Sequence, residues 1–151
     1  MNGRELRELR REFGFTQRDV AAASGIHQPD VSEIERGRSA TPEQLRKLHQ
    51  GISSLIRPSQ VLARRRDRIR EVLEEAGARN IRVFGSAVRG TDRPGSDLDL
   101  LVDLPERTGL LRLAEMTAAA EDVANVRVDL VPDDDWTATS LRQAKAEAVP
   151  L

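Results

Sequence analysis

The sequence contains no cysteine and no tyrosine, and only 3% of its 151 residues are aromatic. Without cysteine, neither disulfides nor thiolate metal sites can form, and this composition fits a reducing compartment. The chain also lacks a run of 18 apolar residues, so we expect no transmembrane span. Because the first residues lead directly into a charged amphipathic segment, we expect no secretory signal and a cytoplasmic location.

Charge is distributed unevenly along the chain. Residues 1–66 contain 13 Lys and Arg against 8 Asp and Glu, whereas residues 67–151 contain 11 against 17. A basic half suits a part that meets phosphates, and an acidic half suits a part that holds cations. Unequal halves also arise by chance, so the asymmetry alone does not decide between these interpretations.

The first 56 residues read as a bundle of short helices with glycine-bearing turns. Apolar residues recur at helical spacing, and Thr16 and Thr41 are typical residues before a first helical turn. We expect Gly51 to end the fourth helix and a short fifth helix to follow up to Ile56. Pro58 then marks the expected boundary between one domain, residues 1–57, and a second, residues 58–151.

The second half changes from helical to alternating periodicity after a longer helix at residues 59–76. Strands are predicted at residues 80–84, 98–102 and 126–131. Helices are predicted between the last two strands and at residues 141–148. The predicted fold class is therefore α+β, an all-α bundle followed by a small mixed-sheet domain.

The predicted strands place carboxylates on one face. Asp97 and Asp99 alternate with apolar residues, so both side chains point the same way, roughly 6.6 Å apart along the strand. Two carboxylates at that spacing repel each other unless a cation neutralises them, and Mg²⁺ prefers such oxygen ligands. If the strand that contains Asp129 lies alongside, three carboxylates converge, which suffices for two metal ions about 4 Å apart.

Gly85 and Ser86 follow the first predicted strand and precede a short helical segment. Glycine lets the backbone approach a ligand closely, and N–H groups at a helix start favour anionic phosphate. The Ser86 hydroxyl adds a donor, and Arg89 adds positive charge. These three residues are the predicted nucleotide-binding group.

The pattern Gly85-Ser86-x10-Asp97-x-Asp99, with Asp129 on a later strand, resembles the polymerase-beta-like nucleotidyltransferase superfamily. Over about residues 60–151 it is similar to the minimal nucleotidyltransferase branch. The resemblance implies ATP as substrate and two Mg²⁺ ions, with Asp97 and Asp99 binding both ions. It implies that Asp129 binds one ion and helps to activate an acceptor hydroxyl, while Gly85 and Ser86 bind the triphosphate.

Residues 16–38 resemble the helix-turn-helix domains of the Xre/Cro repressor family. The positions that match the helix-packing residues of that family are Ala21, Gly25, Ile26, Val31 and Ile34. The resemblance implies that Gln17 binds the DNA backbone and that Gln28 reads a base edge. Arg10 would neutralise phosphate. Further candidates for DNA contact are Ser32, Glu33, Arg36 and Arg38. The alternative is a bundle retained for dimerisation, and we expect a homodimer or a hetero-oligomer.

Minimal nucleotidyltransferases resembling this chain act as antitoxins that transfer AMP from ATP to a tyrosine of a HEPN-type RNase toxin. Since this sequence has no tyrosine, such an acceptor would belong to a partner. Two alternatives stay open. One is a small-molecule nucleotidyltransferase, which generally needs a further domain that the 22 residues after Asp129 do not provide. The other is a plain repressor with an inert second domain, whereas an antitoxin would use the helix-turn-helix domain to autoregulate its operon.

Other charged residues have plainer interpretations. An arginine run, Arg64 to Arg66 with Arg68 and Arg70, lies largely opposite the apolar stripe of its helix. It is either a solvated face or a docking surface. The remaining acidic residues are expected on the solvated surface: Asp92, Asp103 and Asp133 to Asp135.

Overall fold

The computed structural model describes residues 1–134 and 139–151, which divide into two compact units, Met1–Ile56 and Arg57–Leu151. The boundary expected from the sequence, between residues 57 and 58, lies one peptide bond further along. No helix in the described part of the chain is both long enough and apolar enough to cross a membrane.

The first unit is all-helical. Its helices are α1 (Gly3–Glu12), α2 (Gln17–Ser24), α3 (Gln28–Glu35) and α4 (Pro42–Leu55). Capping boxes begin three of them, because the side chains of Asn2, Thr16 and Thr41 each accept a backbone N–H of the first turn. The buried apolar core of the unit includes Leu6, Leu9, Phe13, Val20, Val31, Ile34, Leu48 and Ile52.

The prediction that Gly51 ends the fourth helix is wrong, because α4 continues through it to Leu55. A Cβ on Gly51 would lie 2.9 Å from the Cβ of Ser24, which is the last residue of α2. Helices α2 and α4 therefore approach too closely at this point for any side chain. The glycine serves helix packing here, and one helix replaces the two that were expected.

The second unit combines helices with a four-stranded mixed sheet. Its elements are α5 (Pro58–Glu75), β1 (Arg79–Phe84), α6 (Ser86–Arg89), β2 (Leu98–Asp103), α7 (Leu110–Ala124), β3 (Val128–Pro132), α8 (Thr139–Glu147) and β4 (Val149–Pro150). The strand order is β3-β2-β1-β4, with β1 antiparallel to both neighbours and β2 parallel to β3. Strand β4 was not predicted, since two residues are too few to show an alternation.

Helices α5 and α7 pack against each other, and α7 also contacts β3. The fully buried side chains of this region include Ile69, Leu73, Leu98, Leu100, Leu101 and Met116. The α+β class expected from the sequence is confirmed.

Asp92 is not the solvated residue that the sequence analysis expected. It is only 6% exposed, and its Oδ2 accepts the backbone N–H of Ser59 at 2.8 Å in the first turn of α5. Its backbone carbonyl accepts a hydrogen bond from Arg57 at 3.1 Å. The residue before α5 is an arginine, so this distant carboxylate supplies an acceptor for the open N–H groups of that helix start.

Asp133 is also largely covered, and it lies 2.9 Å from Arg82 and 2.5 Å from Lys145. Asp103, by contrast, is half exposed and pairs with Arg82 at 2.8 Å. The expectation of a solvated surface is therefore wrong for Asp133. The third aspartate of that run, Asp135, lies outside the described residues.

Two of the arginines in the run on α5 form hydrogen bonds with backbone carbonyls of the same unit. Arg65 donates to the carbonyl of Val123 at 2.6 Å, and Arg70 donates to that of Leu151 at 2.8 Å. Arg66 is exposed beside a groove that Leu62 and Ala87 also line. A docking role for this face stays a prediction.

Candidate functional site

Gly85 lies at the end of β1 with φ 77° and ψ −153°, a combination that is essentially restricted to glycine. A Cβ built on Gly85 would overlap Oδ2 of Asp99 and lie 3.0 Å from its Cγ. The turn therefore passes directly against the carboxylate, which only a residue without a side chain permits. The fold brings together the turn and the Asp-x-Asp motif that the sequence placed ten residues apart.

The parallel pairing of β2 and β3 sets Asp99 directly beside Asp129. Leu98 and Leu100 are buried and point away, as the alternation of the strand requires. Asp97 lies just before β2 and not within it, because the strand begins at Leu98. The three aspartates thus reach the same end of the sheet from two neighbouring strands.

The charge of this cluster is only partly compensated. Burial, followed by the negative charges of Asp129 and Asp97, raises the pKa of Asp99 to about 6. Arg89 acts in the opposite direction. Arg127 lies 3.6 Å from Asp97 but is mostly exposed to solvent. A carboxylate held at this pKa binds a proton or a cation readily.

The donor set fits Mg²⁺ by its chemistry, since it offers only oxygen ligands and a negative charge that is only partly compensated. As the side chains stand, however, no group of three or more His, Cys, Asp or Glu in residues 1–134 and 139–151 is arranged to hold a metal ion. The strand register aligns Asp99 with Asp129. Magnesium binding by Asp97, Asp99 and Asp129 therefore stays a prediction.

Ser86 is the first residue of α6, and Arg89 is the last. The backbone carbonyl of Gly85 accepts the N–H groups of Val88 and Arg89 at 3.2 Å, so the short helix is tied to the turn. Arg89 is about half exposed. The three residues predicted to bind a nucleotide therefore form one continuous segment beside Asp99.

Glu147 belongs to this site, although no sequence pattern indicated it. The N–H of Gly85 donates to Oε1 of Glu147 at 2.9 Å. Nη1 of Arg89 donates to Oε1 at 2.8 Å and to Oε2 at 3.0 Å. The hydrogen bond from the Gly85 backbone and then that from Arg89 hold the pKa of Glu147 below its usual range. No motif includes this residue, which the chain reaches more than sixty positions after the turn.

In the helical unit, the predicted DNA contacts are linked to a buried ion pair. Nε and Nη2 of Arg10 donate to the two carboxylate oxygens of Glu35 at 2.6 and 2.8 Å. Gln17 donates to Glu35 at 2.9 Å, and Gln28 donates to Gln17 at 3.0 Å. The expectation that Arg10 neutralises DNA phosphates is wrong, because its side chain is only 11% exposed and both ends of its fork are bound.

The other predicted DNA contacts lie at the surface of α3 and the turn after it. Arg38 bridges Asp30 at 2.9 Å and Glu33 at 2.8 Å. Arg36 is exposed and donates to the backbone carbonyl of Ser32 at 3.2 Å. Gln28 is exposed as well, at the first position of α3. These side chains are accessible to DNA, and their role stays a prediction.

A Gly-Ser turn lies against a strand aspartate in the mixed-sheet unit, and a unit of four helices precedes it in the chain. Two known domain families match these two parts of the chain. Residues 66–149 match the nucleotidyltransferase domain family, and residues 6–52 match a helix-turn-helix family. The chain belongs to the nucleotidyltransferase domain family and has an N-terminal helix-turn-helix domain, as the sequence resemblances predicted.

Curated relatives match part of the chain. Over 62 residues the chain is 45% identical to protein adenylyltransferase MntA of Thermococcus cleftensis. This match covers 41% of this chain and 63% of that protein. The chain therefore spans less than two thirds of that relative. It is 32% identical over 62 residues to a Methanocaldococcus jannaschii protein provisionally named a protein adenylyltransferase, covering 41% of this chain and 72% of that protein.

Two solved structures share the fold. One, provisionally described as a minimal nucleotidyltransferase, has a TM-score of 0.54 and 41% identity and covers 62% of this chain and 95% of its own. The other is a toxin–antitoxin crystallised with AMP-PNP, with a TM-score of 0.51 and 21% identity, covering 56% of this chain and 69% of its own. At that identity, the second likeness concerns the fold alone.

Proposed function

We propose that this protein transfers AMP from ATP to a hydroxyl group of a partner protein and binds operator DNA through its helical unit. One observation supports the chemistry most directly: the backbone of Gly85 lies against Asp99, and Asp99 lies beside Asp129. The turn proposed to bind phosphate and the carboxylate cluster thereby share one end of the sheet. The name of the Thermococcus relative, a protein adenylyltransferase, supports a protein acceptor.

The reaction is an in-line substitution at the α-phosphorus of ATP. The acceptor oxygen forms a new bond to that phosphorus, the bond to the bridging oxygen of the β-phosphate breaks, and pyrophosphate leaves. Asp97, Asp99 and Asp129 would hold two Mg²⁺ ions, which supply positive charge where negative charge develops. Asp129 is exposed, which supports a role in accepting the proton of an incoming hydroxyl.

The turn binds the leaving end of the nucleotide. The N–H of Gly85, the hydroxyl of Ser86 and the guanidinium of Arg89 are donors suited to phosphate oxygens. Because these residues follow one another in a short segment, they can contact one triphosphate together. Holding ATP in a fixed position relative to the acceptor is itself a large part of such catalysis.

The proposed partner is a HEPN-type RNase toxin that is silenced by AMP on a tyrosine. The absence of tyrosine from this chain means that such an acceptor must come from another protein. Gln17, Gln28, Ser32, Glu33, Arg36 and Arg38 are the proposed DNA contacts, and binding to the operator would let the antitoxin govern its own gene. A homodimer or hetero-oligomer in the cytoplasm, where ATP and DNA are both present, belongs to the same proposal.

The test is label transfer from ATP carrying a radioactive α-phosphate, with Mg²⁺, to the co-expressed product of the neighbouring reading frame. The wild-type chain is expected to label that protein, whereas Asp97→Ala and Asp99→Ala are expected to label it not at all. Both variants should retain DNA binding in a mobility-shift assay, because Asp97 and Asp99 belong to the other unit. Undiminished transfer by both variants would refute the site.

Two other outcomes favour the alternatives. Operator binding without any label transfer would indicate a repressor with an inert second domain. Label on a small alcohol and on no protein would indicate a small-molecule nucleotidyltransferase.

A further inference from the structure

The carboxylate of Glu147 already occupies the donors that the proposed function assigns to the nucleotide. It accepts the N–H of Gly85 at 2.9 Å and two contacts from Arg89 at 2.8 and 3.0 Å. Two of the three predicted phosphate ligands are therefore bound to one side chain of the protein itself. A carboxylate and a phosphate are both oxyanions that accept charge-assisted hydrogen bonds, so they compete for the same N–H groups.

Glu147 is held in this position by the chain on both sides of it. It is the last residue of α8, in which Leu141 and Ala144 are buried. Two residues later the chain enters the sheet, where Val149 pairs with Val83 of β1. Since β1 leads directly into Gly85, the same strand positions both the carboxylate and its backbone donor.

Glu147 also affects the carboxylate cluster. Its negative charge is one of those that raise the pKa of Asp99, after burial and the charges of Asp129 and Asp97. The side chain is thus near enough to Asp99 for the two charges to interact. Glu147 therefore interacts both with the turn at Gly85 and with Asp99, one of the proposed metal ligands.

We propose that Glu147 is an internal competitor for the nucleotide: its carboxylate must leave Gly85 and Arg89 before the triphosphate can bind there. The inference rests on the proposed function in one respect, that this turn receives nucleotide phosphates. Glu147 then sets the affinity for ATP, because the apparent dissociation constant equals the intrinsic one divided by the fraction of molecules with the turn open. Nucleotides with a longer phosphate chain compete best, since they offer more oxyanions to the same donors.

The test is isothermal titration calorimetry, which measures the Kd for MgATP in the absence of any acceptor. It is applied to the full chain as wild type, as Glu147→Ala and as Glu147→Gln. Both variants are expected to bind ATP more tightly, with Kd lowered on the order of tenfold for Ala and by less for Gln, whose amide oxygen can still accept from Gly85. The matched control is Glu115→Gln, which removes one negative charge from an ion pair with Arg112 on α7. The control should leave Kd unchanged.

A second titration, with inorganic triphosphate, separates the phosphate contacts from those of the nucleoside. We expect the same order of affinities, with the variants above the wild type. An unchanged or raised Kd in both Glu147 variants overturns the inference. A raised Kd would make Glu147 a positioning residue for Arg89. Circular dichroism of Glu147→Gln, the more conservative change, shows whether the fold is kept.

The two proposals fail in distinguishable ways. If the wild type binds ATP and labels its partner while the Glu147 variants bind no more tightly, the competitor is overturned and the proposed function stands. If neither the wild type nor any variant binds ATP or triphosphate, the turn is not a phosphate site, and both proposals are overturned together.

Discussion

Glu35 in the helical unit is surrounded by donors, whereas Asp99 in the mixed-sheet unit is surrounded by other carboxylates. Arg10 and Gln17 both donate to Glu35, which is 4% exposed. Asp99 lies beside Asp129 and near Asp97, with Arg89 acting against them. One unit neutralises its buried negative charge, and the other concentrates it.

The pKa values follow this difference. Burial would raise the pKa of Glu35, but the hydrogen bonds from Arg10 and Gln17 and the charge of Arg10 outweigh it and hold that pKa below its usual range. Burial and like charges raise the pKa of Asp99 to about 6. A satisfied charge contributes to the fold, whereas an unsatisfied one is available to a ligand. Changes to the first should therefore alter stability, and changes to the second should alter activity.

After the loss of transfer expected for the two aspartate variants, the next largest expected effect is that of Gly85→Ala on nucleotidyl transfer. The new Cβ would overlap the carboxylate of Asp99, so either the turn or the aspartate must move. A displacement of about 1 Å at a reacting centre can cost on the order of a hundredfold in rate. We expect label transfer to fall by at least that factor, while DNA binding by the helical unit stays unchanged.

The matched control is Gly90→Ala in the same turn region. Gly90 also has a positive φ of 71°, but a Cβ there would meet no atom within 4 Å. Any residue other than glycine costs about 1 kcal/mol in that backbone conformation, so stability should fall slightly while transfer persists. Equal losses of transfer in the two variants would show that strain, and not the displacement of Asp99, is responsible.

The counterpart in the helical unit is Glu35→Gln, which should reduce stability and spare catalysis. Removing one partner of a buried, hydrogen-bonded ion pair costs about 3 kcal/mol, because Arg10 is left with an uncompensated charge. Urea unfolding followed through amide NMR signals of α3 measures this loss. Glu43→Gln, which removes exposed pairs with Arg46 and Lys47, is the control and should shift the midpoint far less.

If Glu35→Gln instead lowers the rate of label transfer at a temperature where the helical unit remains folded, the division of labour between the two units is refuted. A loss of stability that is no greater than for Glu43→Gln would show that the buried pair is not stabilising.

Acidification should affect the two units in opposite directions. The pKa of Asp99 is about 6 in the folded state against 3.8 as the ordinary value, so the folded state binds the proton first. The contribution of Asp99 to the stability of the sheet unit should therefore rise as the pH falls from about 6 towards 3.8, by on the order of 2 kcal/mol, and Asp99→Asn should remove this contribution. Glu35 has a lowered pKa, so its contribution is present above 4.5 and is lost as the pH falls through its folded value.

Urea titrations near neutral pH, near pH 5.5 and near pH 4, read out by amide signals of β2 and α3, separate the two units. A sheet unit whose stability falls steadily over the first interval would contradict the raised pKa of Asp99.

Much of the fold could be predicted because its signals are local. Thr16 and Thr41 begin helices by bonding to residues three positions away, and the strand of Leu98 and Leu100 shows its alternation within a few residues. The candidate turn and aspartates could also be found, since their spacing is recorded in the sequence itself. The parallel pairing that brings Asp129 to Asp99 was an assumption that the sheet confirms.

The remainder depends on contacts between distant residues. Asp92 bonds to Ser59 across 33 positions, and Glu147 bonds to Gly85 across 62. Gly51 was predicted to end a helix, but it lies in close contact with Ser24 on another helix. In each case the residue type alone permits several roles, and only the packing of elements selects one. The roles of such residues can be predicted only once the fold is known.

The smallest expected effect is that of Gln28→Ala, and it tests the helical unit where fold and function meet. Gln28 is exposed and donates to Gln17 at 3.0 Å, while Gln17 in turn donates to the buried Glu35. Losing Gln28 leaves the bond between Gln17 and Glu35 in place, so stability should change by less than about 0.5 kcal/mol. If Gln28 reads a base edge, affinity for operator DNA should fall on the order of tenfold, with little change for unrelated DNA.

Gln17→Ala is the comparison, because it removes a donor from Glu35 and should lower stability as well as DNA affinity. A mobility-shift assay at fixed salt with operator and unrelated DNA, set beside urea unfolding, distinguishes the two variants. Equal losses on both DNAs for Gln28→Ala would place this residue among the backbone contacts, and the polar chain from Arg10 to Gln28 would then serve only to hold α3 in position.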